Sequence, residues 1–184
     1  MLTAGKDALH ADTDEDASLG WIVIRSGSFT ICAADDGIHA AAYVEIDGGD
    51  FDTWAAEGIE STCVLISGGS IEIQASDDGI NAARKSDACR VAVEISGGDI
   101  SITMGAGDTD GVDSNGDLTI SGGTVRVTGS SCFDVDGTVS FTGGTVYVNG
   151  QQVSTIPVQM MGGFGGMGGP GGSGGMGGPN GRRG

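Results

Sequence analysis

Apolar residues in this chain alternate with polar ones in short runs, and the runs restart about every 21 residues. One run places Ile22, Val44, Val64, Val93, Leu118 and Val139 in equivalent positions, with Ile24, Ile46, Ile66, Ile95, Ile120 and Phe141 two residues later. A second aligns Phe29, Phe51, Ile71, Ile100, Val125 and Val146, followed by Ile31, Thr53, Ile73, Ile102, Val127 and Val148. A third aligns Leu9, Ile38, Ile59, Ile80, Val112 and Phe133. A period of two means a strand with one buried face. Runs this short bury no core alone, but stacking them turns each column into a hydrophobic ladder with a rung about every 4.8 Å. Three strands in about 21 residues leave no room for a helix, which excludes leucine-rich, ankyrin and tetratricopeptide arrays. The pattern predicts an all-β, single-stranded parallel β-helix over residues 1–158: a solenoid of about six coils with three short strands per coil.

A double-glycine turn punctuates the coils. It appears at Gly48-Gly49, Gly68-Gly69, Gly97-Gly98, Gly122-Gly123 and Gly143-Gly144, with Ser26-Gly27-Ser28 as a degenerate first copy. The steps between first glycines are 21, 20, 29, 25 and 21, so two coils carry insertions. Gly-Gly supplies positive φ at a sharp corner. From residue 159 to 184 the chain is a Gly/Met/Pro-rich tail that cannot build a core, and it is expected to be disordered.

Charge narrows the partners. The chain holds 25 Asp+Glu against 8 Lys+Arg, a formal charge of −17. That disfavours nucleic acid and an anionic bilayer, and no run approaches a membrane span. The N-terminus lacks an apolar signal core and enters a repeat directly, as a fragment or a chain that has shed its leader would. Cys32, Cys63, Cys89 and Cys132 show no CxxC pairing and no neighbouring His, which argues against zinc; they are expected as buried free thiols rather than disulfides.

The acids are concentrated in the third run. It reads Asp35-Asp36-Gly37-Ile38, Ala56-Glu57-Gly58-Ile59, Asp77-Asp78-Gly79-Ile80 and Thr109-Asp110-Gly111-Val112, with a frayed first copy at Asp7-Ala8-Leu9. Alignment stacks Asp7, Asp36, Glu57, Asp78 and Asp110, ending at Ser131. Like charges about 4.8 Å apart repel by about 1 kcal/mol in water and about 3–4 kcal/mol at an effective dielectric of 20. Protons held by raised pKa values, or cations between coils, relieve this. Closely spaced hard oxygens suit Ca²⁺. The densest cluster is Asp108, Asp110, Asp113 and Asn115. It resembles the start of an EF-hand loop but lacks the Glu at position 12, so a calcium site on a β-helix corner is the better reading, with a solvated polar turn as the alternative. The candidate metal ligands are therefore Asp35, Asp36, Glu57, Asp77, Asp78, Asp108, Asp110, Asp113 and Asn115. The acidic insertion Asp12, Asp14, Glu15 and Asp16 reads as a solvated loop as readily as a site.

With these motifs together, residues 5–150 resemble the calcium-dependent β-helix carbohydrate-binding family of clostridia and related bacteria. The resemblance implies a right-handed parallel β-helix, bound Ca²⁺, and affinity for plant-wall polysaccharides, above all acidic ones such as polygalacturonate. It implies an architecture like that of pectate lyases without lytic activity, and an extracellular or cell-surface location. Carry-over applies to Asp35, Asp36, Asp77, Asp78, Asp110 and Asp113. The chain departs from the pattern at Ala56, where an acid is expected, and at Cys132, where a glycine is.

Three further residues are candidate glycan contacts. Trp54, beside Glu57, is a sugar-stacking platform or a half-buried corner aromatic. Arg84 and Lys85 belong to an insertion (83–90) read chiefly as a solvated loop whose charges offset the local acids, with a cationic patch or a β-elimination base as the alternative. His10 and His39 share an outward column and are expected at the surface. The functional expectation is a monomeric, non-catalytic, calcium-dependent binder of acidic polysaccharide. A uronate lyase and a calcium-stabilised structural adhesin are the competing readings.

Overall fold

The computed structural model describes residues 1–12, 16, 19–107 and 109–158. The expected tail, 159–184, and the candidate ligand Asp108 lie outside the described residues, as do Asp14 and Glu15.

Every alternating run becomes a strand. The first coil is β1 (Leu2–Ala4), β2 (Leu9–Ala11) and β3 (Trp21–Ile24). The second is β4 (Ser28–Ala33) and β5 (Asp36–Ile46), and the third is β6 (Asp50–Ala55) and β7 (Glu57–Ile66). The fourth is β8 (Ser70–Ala75), β9 (Ile80–Ala82) and β10 (Ala92–Ile95). Then follow β11 (Asp99–Met104), β12 (Asp110–Ser114), β13 (Asp117–Thr128), β14 (Ser131–Val135), β15 (Val139–Val148) and β16 (Gln151–Val153). All pair in parallel with the coils above and below except β16, which runs antiparallel to β15. The solenoid is thus a parallel β-helix of about six coils, as the periodicity predicts.

The registers reproduce the sequence columns rung by rung. Val44 pairs with Val64, Val64 with Val93 and Val93 with Leu118. Phe51 pairs with Ile71, Ile71 with Ile100 and Ile100 with Val125. Ile38 pairs with Ile59, Ile59 with Ile80 and Ile80 with Val112. The stacked rings of Phe29 and Phe51 lie 4.8 Å apart, the rise of one coil. Each such isoleucine or valine is buried, and burial of one contributes about 1.5–3 kcal/mol.

The strands are less segmented than expected. In β5 and β7 two faces join without a break, because small residues turn the corner: Ala41 and Ala42 in one, Ser61 and Thr62 in the other. A register shift between Ala40 and Tyr43 marks the bend. β13 and β15 likewise run through their Gly-Gly corners, and there the second glycines hold φ of 76° and 84°.

A different glycine sets the corner where the acids sit. In each Asp-Gly-Ile motif both the glycine and the following apolar residue are buried. A Cβ on Gly79 would collide with the Gly111 carbonyl oxygen of the next coil and with Ile102 Cγ2. Gly58 is boxed in the same way by the Gly79 carbonyl and Ile73. Cys132 occupies this position in β14, the last strand on this face. Among the described residues no further coil stacks on it, so a side chain fits. At the C-terminal end Asn149 and Gly150, both with positive φ, turn β16 back over β15, and buried Ile156 packs against the core. That fold-back pairs a sheet edge that would otherwise be open.

Candidate functional site

The corner glycine determines how the acids are presented. Asp36 precedes Gly37 and His39 follows Ile38, so the two polar side chains straddle the bend on the outer face. Repeated in each coil, this makes two parallel columns. The first is Asp7, Asp36, Glu57, Asp78, Asp110 and Ser131. Asp36 pairs with Glu57 and Asp110 with Ser131. The Asp36 N–H donates to Asp7 Oδ1 at 3.3 Å, and the Asp110 N–H to Asp78 Oδ1 at 3.1 Å. The second column is His10, His39, Glu60, Asn81, Asp113 and Asp134. The predicted ladder is present, and a second one lies beside it.

In the N-terminal half the protein supplies its own cations. His39 Nδ1 sits 2.8 Å from Asp36 Oδ2 and 2.8 Å from Glu60 Oε2. Hydrogen bonds to those two carboxylates push the imidazole up to about 10, so it is a cation at neutral pH. His39 is therefore not a surface histidine as expected. It lies largely covered between two acids. Lys85 Nζ is in direct contact with Glu60 Oε1. Burial works to raise the Glu60 pKa, but hydrogen bonds from His39 and Lys85 outweigh it and bring it to about 2. Among the described residues Glu57 has only the Asn81 amide, at 3.1 Å. Burial first, and the Glu60 charge second, push it up to about 8, so it holds a proton at neutral pH.

The C-terminal half carries no such cation among the described residues. Asp110 accepts a hydrogen bond from Ser131 Oγ. Burial, then the charges of Asp77 and Asp110, lift Asp78 to about 6 against the pull of the Asp110 N–H. Burial, then the charges of Asp78, Asp110, Asp134 and Asp136, lift Asp113 to about 7. Three oxygens in this region, Asn81 Oδ1, Thr109 Oγ1 and Asp134 Oδ1, are buried without a hydrogen-bond partner among the described residues. Because Asn81 gives its amide N–H to Glu57, its oxygen is left over. A hard-oxygen donor set with an orphaned carbonyl fits Ca²⁺.

Geometry and charge point to different halves. Ligand atoms of Asp7, Asp36 and His39, and those of Asp36, Glu57 and Glu60, converge within 4.8 Å of one another. Those groups already enclose an imidazolium and lie beside an ammonium. Charge is the better guide, because a metal in the C-terminal half would have no protein cation to displace among the described residues.

The remaining candidates are spread around this corner. Asp35 and Asp77 are exposed at its rim, one residue before the ladder, and Lys6 approaches Asp35 at 3.9 Å. Asn115 is exposed beyond the ladder, its N–H bound to the Ala82 carbonyl, so the structure does not bring it to the ladder. Arg84 pairs with Asp87 at 2.8 Å. Lys85 does reach the ladder and offsets Glu60, while Arg84, Asp87, Ala88 and Arg90 of the insertion stay exposed. Trp54 is 38% exposed. It walls a shallow trench of 440 Å³ with Ala33, Ala55, Ala75, Thr103 and Met104, on the other side of the corner from the carboxylates. Cys32 is exposed and Cys89 half-buried, correcting the expectation that all four thiols are buried. Glu60 and Asn81 were missed. Their signal is the position three residues after the ladder acid, visible once Gly-Ile is known to turn the corner.

Replacing Glu60 by Gln should lower the His39 pKa by at least about one unit, equivalent to about 1.4 kcal/mol of lost interaction. An NMR titration of the imidazole reads this directly, and an unchanged pKa would remove Glu60 from the network.

A model of the family described as carbohydrate-binding domain-containing protein matches residues 1–109 and, overlapping, 61–154. No curated protein and no solved structure matches the chain.

Proposed function

The chain belongs to the carbohydrate-binding domain-containing protein family, and from this we propose that it binds an acidic extracellular polysaccharide through calcium held by Asp78, Asp110 and Asp113. The observation that carries the reading is the asymmetry of the ladder. In one half Asp36 and Glu60 are matched by His39 and Lys85, while in the other the acids are stacked with no cation among the described residues. Asn81 Oδ1, buried and unpartnered, supplies a further neutral ligand. Bound calcium would supply positive charge between the protein carboxylates and a sugar carboxylate that they would otherwise repel. Trp54 offers a flat face for a sugar ring, in a trench that borders the same corner. The ligand we favour is a polygalacturonate-like chain lying along that corner.

The lyase reading asks Lys85 for a neutral amine. Burial lowers its pKa, but contact with Glu60 raises it above the usual value, which keeps the nitrogen protonated and poorly suited to act as a base. Binding without catalysis is therefore the reading we carry.

Titration of polygalacturonate by calorimetry, with calcium and with chelator, tests the proposal. Binding should vanish with chelator. It should weaken at least about tenfold, or about 1.4 kcal/mol, in Asp113→Asn, and fall in Trp54→Ala without change in calcium affinity. Calcium uptake with no glycan binding would instead leave a structural, adhesin-like role for the ion.

A further inference from the structure

The insertion between β9 and β10 is folded back onto the solenoid. The backbone N–H groups of Lys85 and Ser86 both donate to Thr62 Oγ1 at 2.9 Å, and Thr62 donates in turn to the Ala41 carbonyl at 2.7 Å. Further along, Cys89 Sγ donates to the Ala42 carbonyl at 3.1 Å. Cys63 follows Thr62 in β7 and pairs across the sheet with Tyr43, the neighbour of Ala42. Cys89 is thereby seated beside Cys63, close enough that each thiol shifts the other's protonation. The other two cysteines are placed elsewhere. Cys32 is exposed on β4, and the Cys132 thiol packs against the Val127 and Gly129 carbonyls.

We propose that Cys63 and Cys89 form a redox clamp, in which a disulfide between them locks the insertion, and with it Lys85, onto the carboxylate ladder. The chemistry is thiol–disulfide exchange with an external disulfide such as oxidised glutathione. Cys89, the more accessible thiol, loses its proton and attacks one sulfur of the oxidant, expelling one reduced thiol. Cys63 then attacks the mixed disulfide and expels the second. Two protons and two electrons end on the reduced oxidant, and one S–S bond forms in the protein. Burial, with the Cys89 thiol nearby as the next cause, pushes the Cys63 thiol up to about 12. Closure should therefore be slow near neutral pH and faster in alkali. The clamp does not depend on what the ladder binds.

The test is incubation of the reduced full-length chain with oxidised glutathione at alkaline pH, then alkylation, proteolysis and mass spectrometry. The expected result is loss of two of the four alkylatable thiols and one cross-linked peptide pair containing Cys63 and Cys89. The melting temperature should rise and fall back on addition of a thiol reductant. A Cys32→Ser/Cys132→Ser double variant should close in the same way, whereas Cys63→Ser should stop at a mixed disulfide on Cys89. Four alkylatable thiols after oxidation, or a cross-link through Cys32 or Cys132 or between two chains, would overturn the proposal.

Discussion

Gly79→Ala is expected to cost at least about 3 kcal/mol and to prevent cooperative folding of the central coils, while Gly5→Ala is expected to be neutral. A Cβ at Gly79 is blocked on one side by a backbone carbonyl, that of Gly111, and on the other by Ile102. The isoleucine has some freedom to move. The carbonyl has none, because Gly111 belongs to the next coil's strand β12, which is held in parallel register by β9 and β14. Overpacking a rigid core typically costs about 1–3 kcal/mol and more where backbone must shift. In a solenoid the shift also spreads, because each coil contacts only its neighbours and a displaced rung loses both interfaces. At Gly5 nothing lies within 4 Å of an added Cβ. Thermal unfolding followed by circular dichroism compares the two variants. A Gly79→Ala protein melting within a few degrees of the parent would show that the coils can separate to admit a methyl group, contrary to the close stacking argued above.

Without calcium, the protein should melt highest near pH 5 and lose about 5 °C or more by pH 8. Glu57, Asp78 and Asp113 have pKa values in the fold of about 8, about 6 and about 7, each raised above the ordinary carboxyl range. A raised carboxyl keeps its proton in the folded state after the unfolded chain has lost it. Stability therefore declines as pH climbs from the unfolded value through the folded one. His39, raised to about 10, acts in the same sense: its stabilisation is complete below about 6.5 and is lost as pH climbs through its folded value. Glu60, lowered to about 2, acts at the other end. Its contribution is present above about 4.5 and is lost as pH falls towards 2. The two trends meet near pH 5. A decline of 5 °C corresponds to about 2 kcal/mol in a chain of this size. That is well below the summed shifts, because these side chains are part-exposed and screened. Calcium at millimolar concentration should flatten the limb above pH 5, and Asp113→Asn should flatten part of it without metal. Equal melting temperatures at pH 5 and pH 8 in chelator would mean that the ladder carries no such strain.

Much of this molecule could be read from one dimension. Equivalent residues such as Ile24, Ile46 and Ile66 recur at a near-constant interval, and an interval of one coil is a contact between coils. The registers, the acid column and the corner glycines follow from that rule alone. Cys132 departs from the motif, and it does so where, among the described residues, no further coil stacks above it. The Asn149-Gly150 pair is likewise a turn signal legible in the sequence.

The insertion obeyed no period, and its role was hidden for that reason. Nothing in Arg84-Lys85-Ser86 indicates that the chain folds back through Thr62 and delivers one lysine to Glu60. The charge state of the ladder was hidden too, since a sequence records which acids align but not how far water is excluded from each. Repetition along the chain determined where every rung lies. Only the tertiary structure decided which rungs are neutralised by His39 and Lys85 and which are left to protons or a metal ion, because that balance depends on burial and on contacts between residues far apart in the chain.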